Sequence, residues 1–391
     1  MILKISTAWL QLKFQKSRLL VAIAGISFAV VLIFIQLSLR AALFDSSVAL
    51  HKALQGDIFL ISPRFTSLIN MDSFSKRRLN QALAFEEVES VIPIYLGWAR
   101  WINPHHKNHW KNIYIIGLDI SHPVLDLPGI QENINKLKIP DTVLFNEVSR
   151  PEFGAIAEDF QRQGTVTTEI VSLAGSGYRR VTVAGLFKLD ISFGVDGYLV
   201  TSDLNFLRIL NQHSPSAINL GVIQLKNGYN VNQFSQKLRK YLPKDIKIIS
   251  KEEFIKLEKT FWDSNTPIGF AFWFGVVLGL IVGVIIVYQI LYSNVSEYLA
   301  EYATLKALGY KHNYLLFVVF QQSFILAILG YIPGFIIANC IYELSKNATK
   351  IPITMEFSRA LIVLLLTFSM CFISGSVAVK KLKKIDPADV F

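Results

Sequence analysis

Four long apolar stretches, near residues 19–39, 268–292, 314–342 and 360–379, constrain this 391-residue chain more than any other feature. A helix rising 1.5 Å per residue needs roughly 20 such residues to cross the hydrocarbon of a bilayer, and each stretch is long enough. Between the first and second lie more than 200 residues of mixed polarity, sufficient for a core of their own. The expected fold class is an α-helical membrane protein with four transmembrane helices and a large mixed α/β extracytoplasmic domain between helices 1 and 2. The expected divisions are a cytoplasmic amphipathic helix at 1–18, transmembrane helix 1 at 19–42 and the extracytoplasmic domain at 43–266. Transmembrane helix 2 follows at 267–292, a cytoplasmic coupling helix at 293–313 and transmembrane helix 3 at 314–343. A short outer loop at 344–359, transmembrane helix 4 at 360–379 and a cytoplasmic tail at 380–391 complete the chain.

Orientation follows from lysines and arginines in the short flanks. Lys4, Lys13, Lys16, Arg18, Lys306, Lys311, Lys380, Lys381, Lys383 and Lys384 lie on one side, against Lys346, Lys350 and Arg359 on the other. Ten against three places both termini and the 293–313 loop in the cytoplasm of an inner (plasma) membrane protein, with the large domain periplasmic. The formal charge of +10 is therefore a matter of topology, since residues 40–266 hold 26 basic and 23 acidic residues. Nucleic-acid binding would need a concentrated basic face and is not expected.

The basic lead and the 19–39 run exceed a cleavable signal segment, so a retained anchor is expected. Ile5, Trp9, Leu10, Leu12 and Phe14 among Gln and Lys suit a helix lying at the inner membrane surface. Cys340 and Cys371 fall inside spans and cannot staple the external domain. In that domain, strands are expected at 88–101, 113–118, 165–171, 180–187 and 218–225. Helices are expected at 202–210, 231–242 and 251–261, the second with Val231, Phe234, Leu238 and Leu242 on one stripe. Thr266-Pro267 suits the N-cap and first position of helix 2.

Few residues suggest chemistry. His105, His106 and His109 have a density that zinc could use, but Pro104, Lys107 and Lys111 surround them and no carboxylate lies in the segment. A basic surface turn is the expected reading, with no metal. Gly175-Ser176-Gly177 lacks the Lys and Ser/Thr of a phosphate loop, and no nucleophile elbow occurs. The chain is expected to be non-catalytic and to bind no cofactor. Its spans carry Gln36, Gln289, Gln321, Gln322 and the peripheral Glu343, which argues against ion coupling. Gly275, Gly279 and Gly283 form a smooth ridge on helix 2 for close helix approach, either within the chain or between two chains. Gly330 and Gly334 flank Pro333 and are expected to serve a bend in helix 3.

The segment 293–309 is the most suggestive. Glu297 and Glu301 are four residues apart on one helical face, Leu305 and Leu308 lie near the end, Lys306 is in the last turn and Gly309 can stop the helix. A rigid polar helix between two spans, with a carboxylate face and an apolar tip, is suited to receiving force from another protein. The alternative is an ordinary solvated loop helix.

The Glu-Tyr-Ala-Thr-Leu-Lys run at 301–306, with the one-span, domain, three-span plan, resembles the permease class of MacB, FtsX and LolC/LolE. Segments 18–26, 149–154, 202–208, 288–292 and 386–389 make the chain most similar to the DevC-type permeases of cyanobacterial exporters. That resemblance implies a permease, homodimeric or heterodimeric, seated on two copies of a separate DevA-like ATPase that holds the ATP and magnesium. It implies a DevB-like membrane fusion protein, a TolC-like outer-membrane channel and an amphiphilic cargo such as a glycolipid. It also implies that Glu297, Glu301, Thr304, Leu305, Lys306 and Leu308 dock the ATPase, with Gly309 ending the docking helix. Two further readings remain, an FtsX-like regulator of a cell-wall hydrolase and a LolC/LolE-like lipoprotein extractor.

Overall fold

The computed structural model describes residues 7–14, 16–122, 124–173, 177–192, 194–211, 214–298, 300, 301, 304, 308, 312–349 and 354–382. From the N-terminus its elements are α1 (Thr7–Phe14), α2 (Lys16–Ser47), α3 (Ala49–Ala53), β1 (Ile58–Ile61), β2 (Phe74–Ser75) and α4 (Lys76–Ala82). Next come β3 (Val88–Ile102), β4 (Trp110–Leu118), α5 (Ile130–Asn133), β5 (Thr142–Asn146) and α6 (Ile156–Gln163). Then follow β6 (Val166–Ser172), β7 (Tyr178–Phe187), β8 (Tyr198–Ser202), α7 (Asp203–Leu210), β9 (Ala217–Ile218) and β10 (Leu220–Leu225). The last are α8 (Val231–Tyr241), β11 (Lys247–Ser250), α9 (Lys251–Ser264), α10 (Pro267–Glu297), α11 (His312–Thr349) and α12 (Phe357–Leu382). They form two compact units, Leu43–Thr266 and Met1–Ala42 with Pro267–Phe391.

The Leu43–Thr266 unit is built on a nine-stranded sheet ordered β11-β1-β10-β3-β4-β8-β5-β7-β6. The 15-residue β3 is long enough to pair with β10 through its first half and with β6 at Ala99–Trp101. Strands β3, β4, β8, β5, β7 and β6 thereby close a ring, while β10, β1 and β11 extend from it as an open flank. Only β4–β8 and β5–β7 among the pairs of this sheet are parallel. Both faces are covered. Tyr95, Ala99 and Trp101 of β3 enter one core with Phe145, Phe153 and Phe206, and Ile92, Ile94 and Leu96 enter a second with Tyr114, Phe187 and Phe254.

Strands occupy all five predicted segments, but 218–225 is divided at Asn219. Its side chain accepts from the Leu96 N–H at 2.9 Å, giving β9 and β10 in place of one strand. Strands β1, β5, β8 and β11 were not anticipated. The first three are buried at every position, so no polar residue alternates to mark them. The predicted helices are present with their caps: Ser202 for α7, Asn230 for α8 and a reciprocal Ser250–Glu253 box for α9. The Thr266 hydroxyl donates back to the Trp262 carbonyl at 2.6 Å, closing α9.

In the other unit, α2, α10, α11 and α12 are each long and apolar enough to cross a membrane. Their shared core includes Ile26, Val30 and Phe34 of α2, Val287 and Leu291 of α10, Leu326 of α11 and Met370 of α12. Gly330 and Gly334 have a role beyond the expected bend, because they let α11 approach α2. A Cβ on Gly330 would lie 2.3 Å from Ile26 Cγ2, and one on Gly334 2.7 Å from Val30 Cγ1. Ser27 Oγ donates to the Gly330 carbonyl at 2.9 Å across the same contact. Arg359, counted from sequence as a loop cation, lies inside α12 and is buried; it donates to Ser38 Oγ at 3.0 Å and to the Thr354 carbonyl at 2.6 Å.

Candidate coupling site

The segment 293–309 begins as part of α10, with no break after Tyr292. No helix breaker separates 292 from 297, and Ser296 Oγ back-bonds to the Tyr292 carbonyl at 2.6 Å, so the helix runs on through Glu297. The expected boundary between span and coupling helix is therefore not a structural boundary. Tyr298 N–H still donates to the Asn294 carbonyl, and Leu308 N–H donates to the Thr304 carbonyl at 3.0 Å, an α-helical spacing.

The predicted residues separate into two groups. Glu297 is held in an ion pair with Arg18 of α2, both side chains being about half exposed. Tyr298 reaches α1, its hydroxyl lying 3.4 Å from the Gln11 carbonyl. Val295 packs with Val319 of α11 and Val379 of α12. The start of the segment is thus fastened to four other helices of its own unit. Glu301, Thr304 and Leu308 form the outward group, spaced by three and four residues and all exposed, with Leu308 at 72%. Thr304 Oγ1 donates to the Ala300 carbonyl at 2.9 Å, leaving its methyl as the outward contact. Leu305, Lys306 and Gly309 lie outside the described residues.

Sequence reasoning missed Arg18, Gln11 and Gln322. Arg18 was read only as flank charge, yet a cation before one span and an acid at the end of the next lie on the same membrane side. Gln322 Nε2 donates to Gln11 Oε1 at 2.8 Å and ties α1 to α11. In α1, Ala8 and Leu12 are buried while Leu10 and Phe14 are exposed, the face available to a membrane surface; Ile5 lies outside the described residues.

The glycine ridge of α10 faces helices of its own chain. A Cβ on Gly275 would lie 2.4 Å from the Gln36 side chain, on Gly279 3.0 Å from Ile33, and on Gly283 2.4 Å from Met370 Sδ.

In the Leu43–Thr266 unit, the entering and leaving segments are cross-linked. Asp45 accepts from Lys259 at 2.9 Å and faces Lys52 at 3.6 Å; burial would raise its carboxyl, but the two lysines hold it below its usual value. Beside them His51 of α3 and Glu258 of α9 are wholly buried, with His51 Nε2 3.6 Å from Glu258 Oε2. Burial pushes the Glu258 carboxyl up to about 7 despite hydrogen bonds from Trp262 Nε1 and Leu68 N–H. Burial also pushes His51 down to about 3.

The three clustered histidines occupy the turn between β3 and β4. A carboxylate does reach them from outside the segment: His105 Nε2 is 2.6 Å from Asp159 Oδ2 of α6. Asp159 also faces Arg162 at 3.4 Å, and among the described residues no three metal-ligating side chains converge.

No curated protein matches the sequence. Similar solved structures include the periplasmic region of MacB from Actinobacillus actinomycetemcomitans, at 12% identity over 52% of this chain and 94% of that one, with a TM-score of 0.37. Another is the extracellular domain of the noncanonic ABC-type transporter YknZ from Gram-positive bacteria, at 12% identity over 50% and 98%, with a TM-score of 0.33. Residues 273–387, which contain the whole coupling segment, most of α10 and all of α11 and α12, match the C-terminal domain of FtsX-like permeases.

Proposed function

We propose that this chain is the non-catalytic permease subunit of an ATP-driven exporter of the MacB class. The observation that carries the proposal is the FtsX-like permease match over 273–387, with the outward face of Glu301, Thr304 and Leu308 inside it. In this reading both termini and that face are cytoplasmic, 43–266 is periplasmic, and two copies of the chain sit on a DevA-like ATPase pair that binds ATP and magnesium. The outward group docks the ATPase, with Leu305, Lys306 and Gly309 completing the docking surface. Glu297 positions it through Arg18. Closure of the ATPases displaces a segment fastened to α1, α2, α11 and α12, so these helices move together. The Asp45–Lys259 cross-link, with His51 and Glu258 packed beside it, makes the two ends of the periplasmic unit move as one. The cargo is an amphiphile such as a glycolipid, passed to a DevB-like fusion protein and a TolC-like channel without crossing the membrane domain.

The test is capture of the tagged chain from native membranes in detergent, with partners identified by mass spectrometry. An ATPase and a fusion protein are expected, and Glu301→Lys should reduce ATPase recovery about tenfold, as loss of a well-placed charge contact of about 1.5 kcal/mol would. Recovery of a wall hydrolase in place of the fusion protein would replace export by regulation. Capture without any ATPase would overturn the proposal.

A further inference from the structure

A groove of about 480 Å³ lies at the open edge of the periplasmic sheet, between the end of α8, strand β11 and the first turns of α9. Its floor is apolar, made by Leu242, Ile246, Ile248 and Leu257, and its volume is within the range of small-molecule sites. Its rim is basic, with Arg239, Lys244, Lys247 and Lys256 against the single carboxylate of Glu253. That carboxylate is already engaged, accepting from Arg239 Nη2 at 2.9 Å and from the Ser250 N–H at 2.9 Å. The neighbouring Asp245 is likewise engaged, by Arg78. Lys244, Lys247 and Lys256 have no ion-pair partner among the described residues.

The occupant is selected by elimination on chemistry. A small hydrophilic anion would satisfy the lysines and leave the floor wet. A neutral lipid would cover the floor and leave the cations unmatched. A peptide strand added to the β11 edge would need its main-chain groups, but the Ile248 carbonyl accepts from Arg239 Nε at 3.0 Å and the Ser250 N–H is held by Glu253. A peptide would therefore lay unsatisfied N–H and C=O groups on an apolar floor. An acyl chain brings no such groups, and each methylene that leaves water for the apolar floor favours binding. The cleft beside Trp98 and Trp110 is a useful contrast. It is of similar size, but its lysine, Lys111, is held by Asp196 and Glu152 and presents no free cation.

We infer that this groove is a binding site for an anionic single-chain amphiphile, its acyl chain along Leu242, Ile246, Ile248 and Leu257 and its carboxylate or phosphate among Lys244, Lys247 and Lys256. The site is remote in sequence from the coupling face, so ATPase capture tests the exporter and the following labelling tests the groove, and either can fail alone.

The full chain in phosphatidylcholine nanodiscs is labelled with a diazirine-bearing palmitate, and the modified peptides are mapped. Saturable labelling within 242–260 is expected, competed by palmitate and at least tenfold less well by hexadecanol. Lys247→Ala/Lys256→Ala should weaken the half-saturating concentration about tenfold, whereas Lys240→Ala, outside the groove lining, should leave it unchanged. Labelling confined to the four spans, or labelling of 242–260 that the double substitution does not alter, would overturn the inference. Displacement by an acidic amphipathic peptide at lower concentration than palmitate would also overturn it, in favour of a protein partner.

Discussion

In the Leu43–Thr266 unit the interior is filled by large side chains, with Trp101, Tyr95, Phe206 and Phe254 fully buried. In the helical unit the contacts between helices include Gly275, Gly283, Gly330 and Gly334, where an added Cβ would lie 2.3–2.7 Å from a side chain of a neighbouring helix. The solvent explains the difference. Water drives large apolar groups inward wherever a sheet offers a face, whereas lipid tails are as apolar as leucine and reward only close backbone packing. A core site filled by a large side chain should fail by losing volume, and a helix contact made at a glycine by gaining it.

The largest effect is expected at Trp101, fully buried with Nε1 donating to the Phe153 carbonyl at 3.0 Å. Trp101→Ala should cost about 3–5 kcal/mol, read as a lower denaturation midpoint of the Leu43–Thr266 unit's tryptophan fluorescence in detergent. An unchanged midpoint would mean that this core is not close-packed.

A smaller effect distinguishes buried polar pairing from apolar packing within the same unit. Glu258, raised to about 7 from 4.5, stabilises the fold below about 4.5, and that contribution is lost as pH rises through 7. His51, lowered to about 3 from 6.5, stabilises the fold above about 6.5, and that contribution is lost as pH falls through 3. Between 4.5 and 6.5 the two slopes oppose and stability should be nearly flat. Tyr114 and Tyr198, packed around the pair, are raised by burial and stay uncharged in this range, while Asp45, held below its usual value, stays charged, so none adds a slope there. Glu258→Gln keeps the hydrogen-bonding shape and removes one slope, so the variant should lose about 2–3 kcal/mol between pH 6.5 and 4.5. A variant as flat as the parent would show that the pair does not titrate in this way.

How much of this was legible varies with the same physics. The spans could be read because length and apolarity suffice in lipid, and α8 because Val231, Phe234, Leu238 and Leu242 fall on one stripe. Strands β1, β5 and β8 could not, since burial on both faces erases alternation. In the coupling site, Glu297 and Glu301 were legible as neighbours on one helical face, but the pairing of Glu297 with Arg18 depends on a contact 279 positions away. The same holds for His51 and Glu258, one a lone histidine and the other one acid among several until the fold brings them together.

The opposite failure belongs to the glycines. Gly283→Leu drives a side chain into Met370 and Ala29, and overpacking should cost about 1–3 kcal/mol, visible as a lower aggregation temperature in detergent. Gly164→Ala, in the Leu43–Thr266 unit, is the control. Its added Cβ would meet nothing within 4 Å, so any cost there comes from its φ of +75° and not from crowding. A Gly283→Leu protein as stable as the parent would show that α10 does not pack on α12 so tightly, and would return the ridge to an interface between chains.

The smallest effect on stability should come from the contact most informative about coupling. Arg18 and Glu297 are each about half exposed, so solvent screening limits their pair to about 0–1 kcal/mol. Arg18→Glu alone should barely change the aggregation temperature. If Glu297 positions the docking face, however, the same substitution should lower ATPase recovery several-fold, and Arg18→Glu/Glu297→Arg should restore most of it. A merely structural pair would move stability and recovery together, and a direct docking role for Glu297 would leave the swapped protein defective. Recovery by the swap without a change in stability is the result that assigns Glu297 to positioning and leaves Glu301, Thr304 and Leu308 as the docking surface.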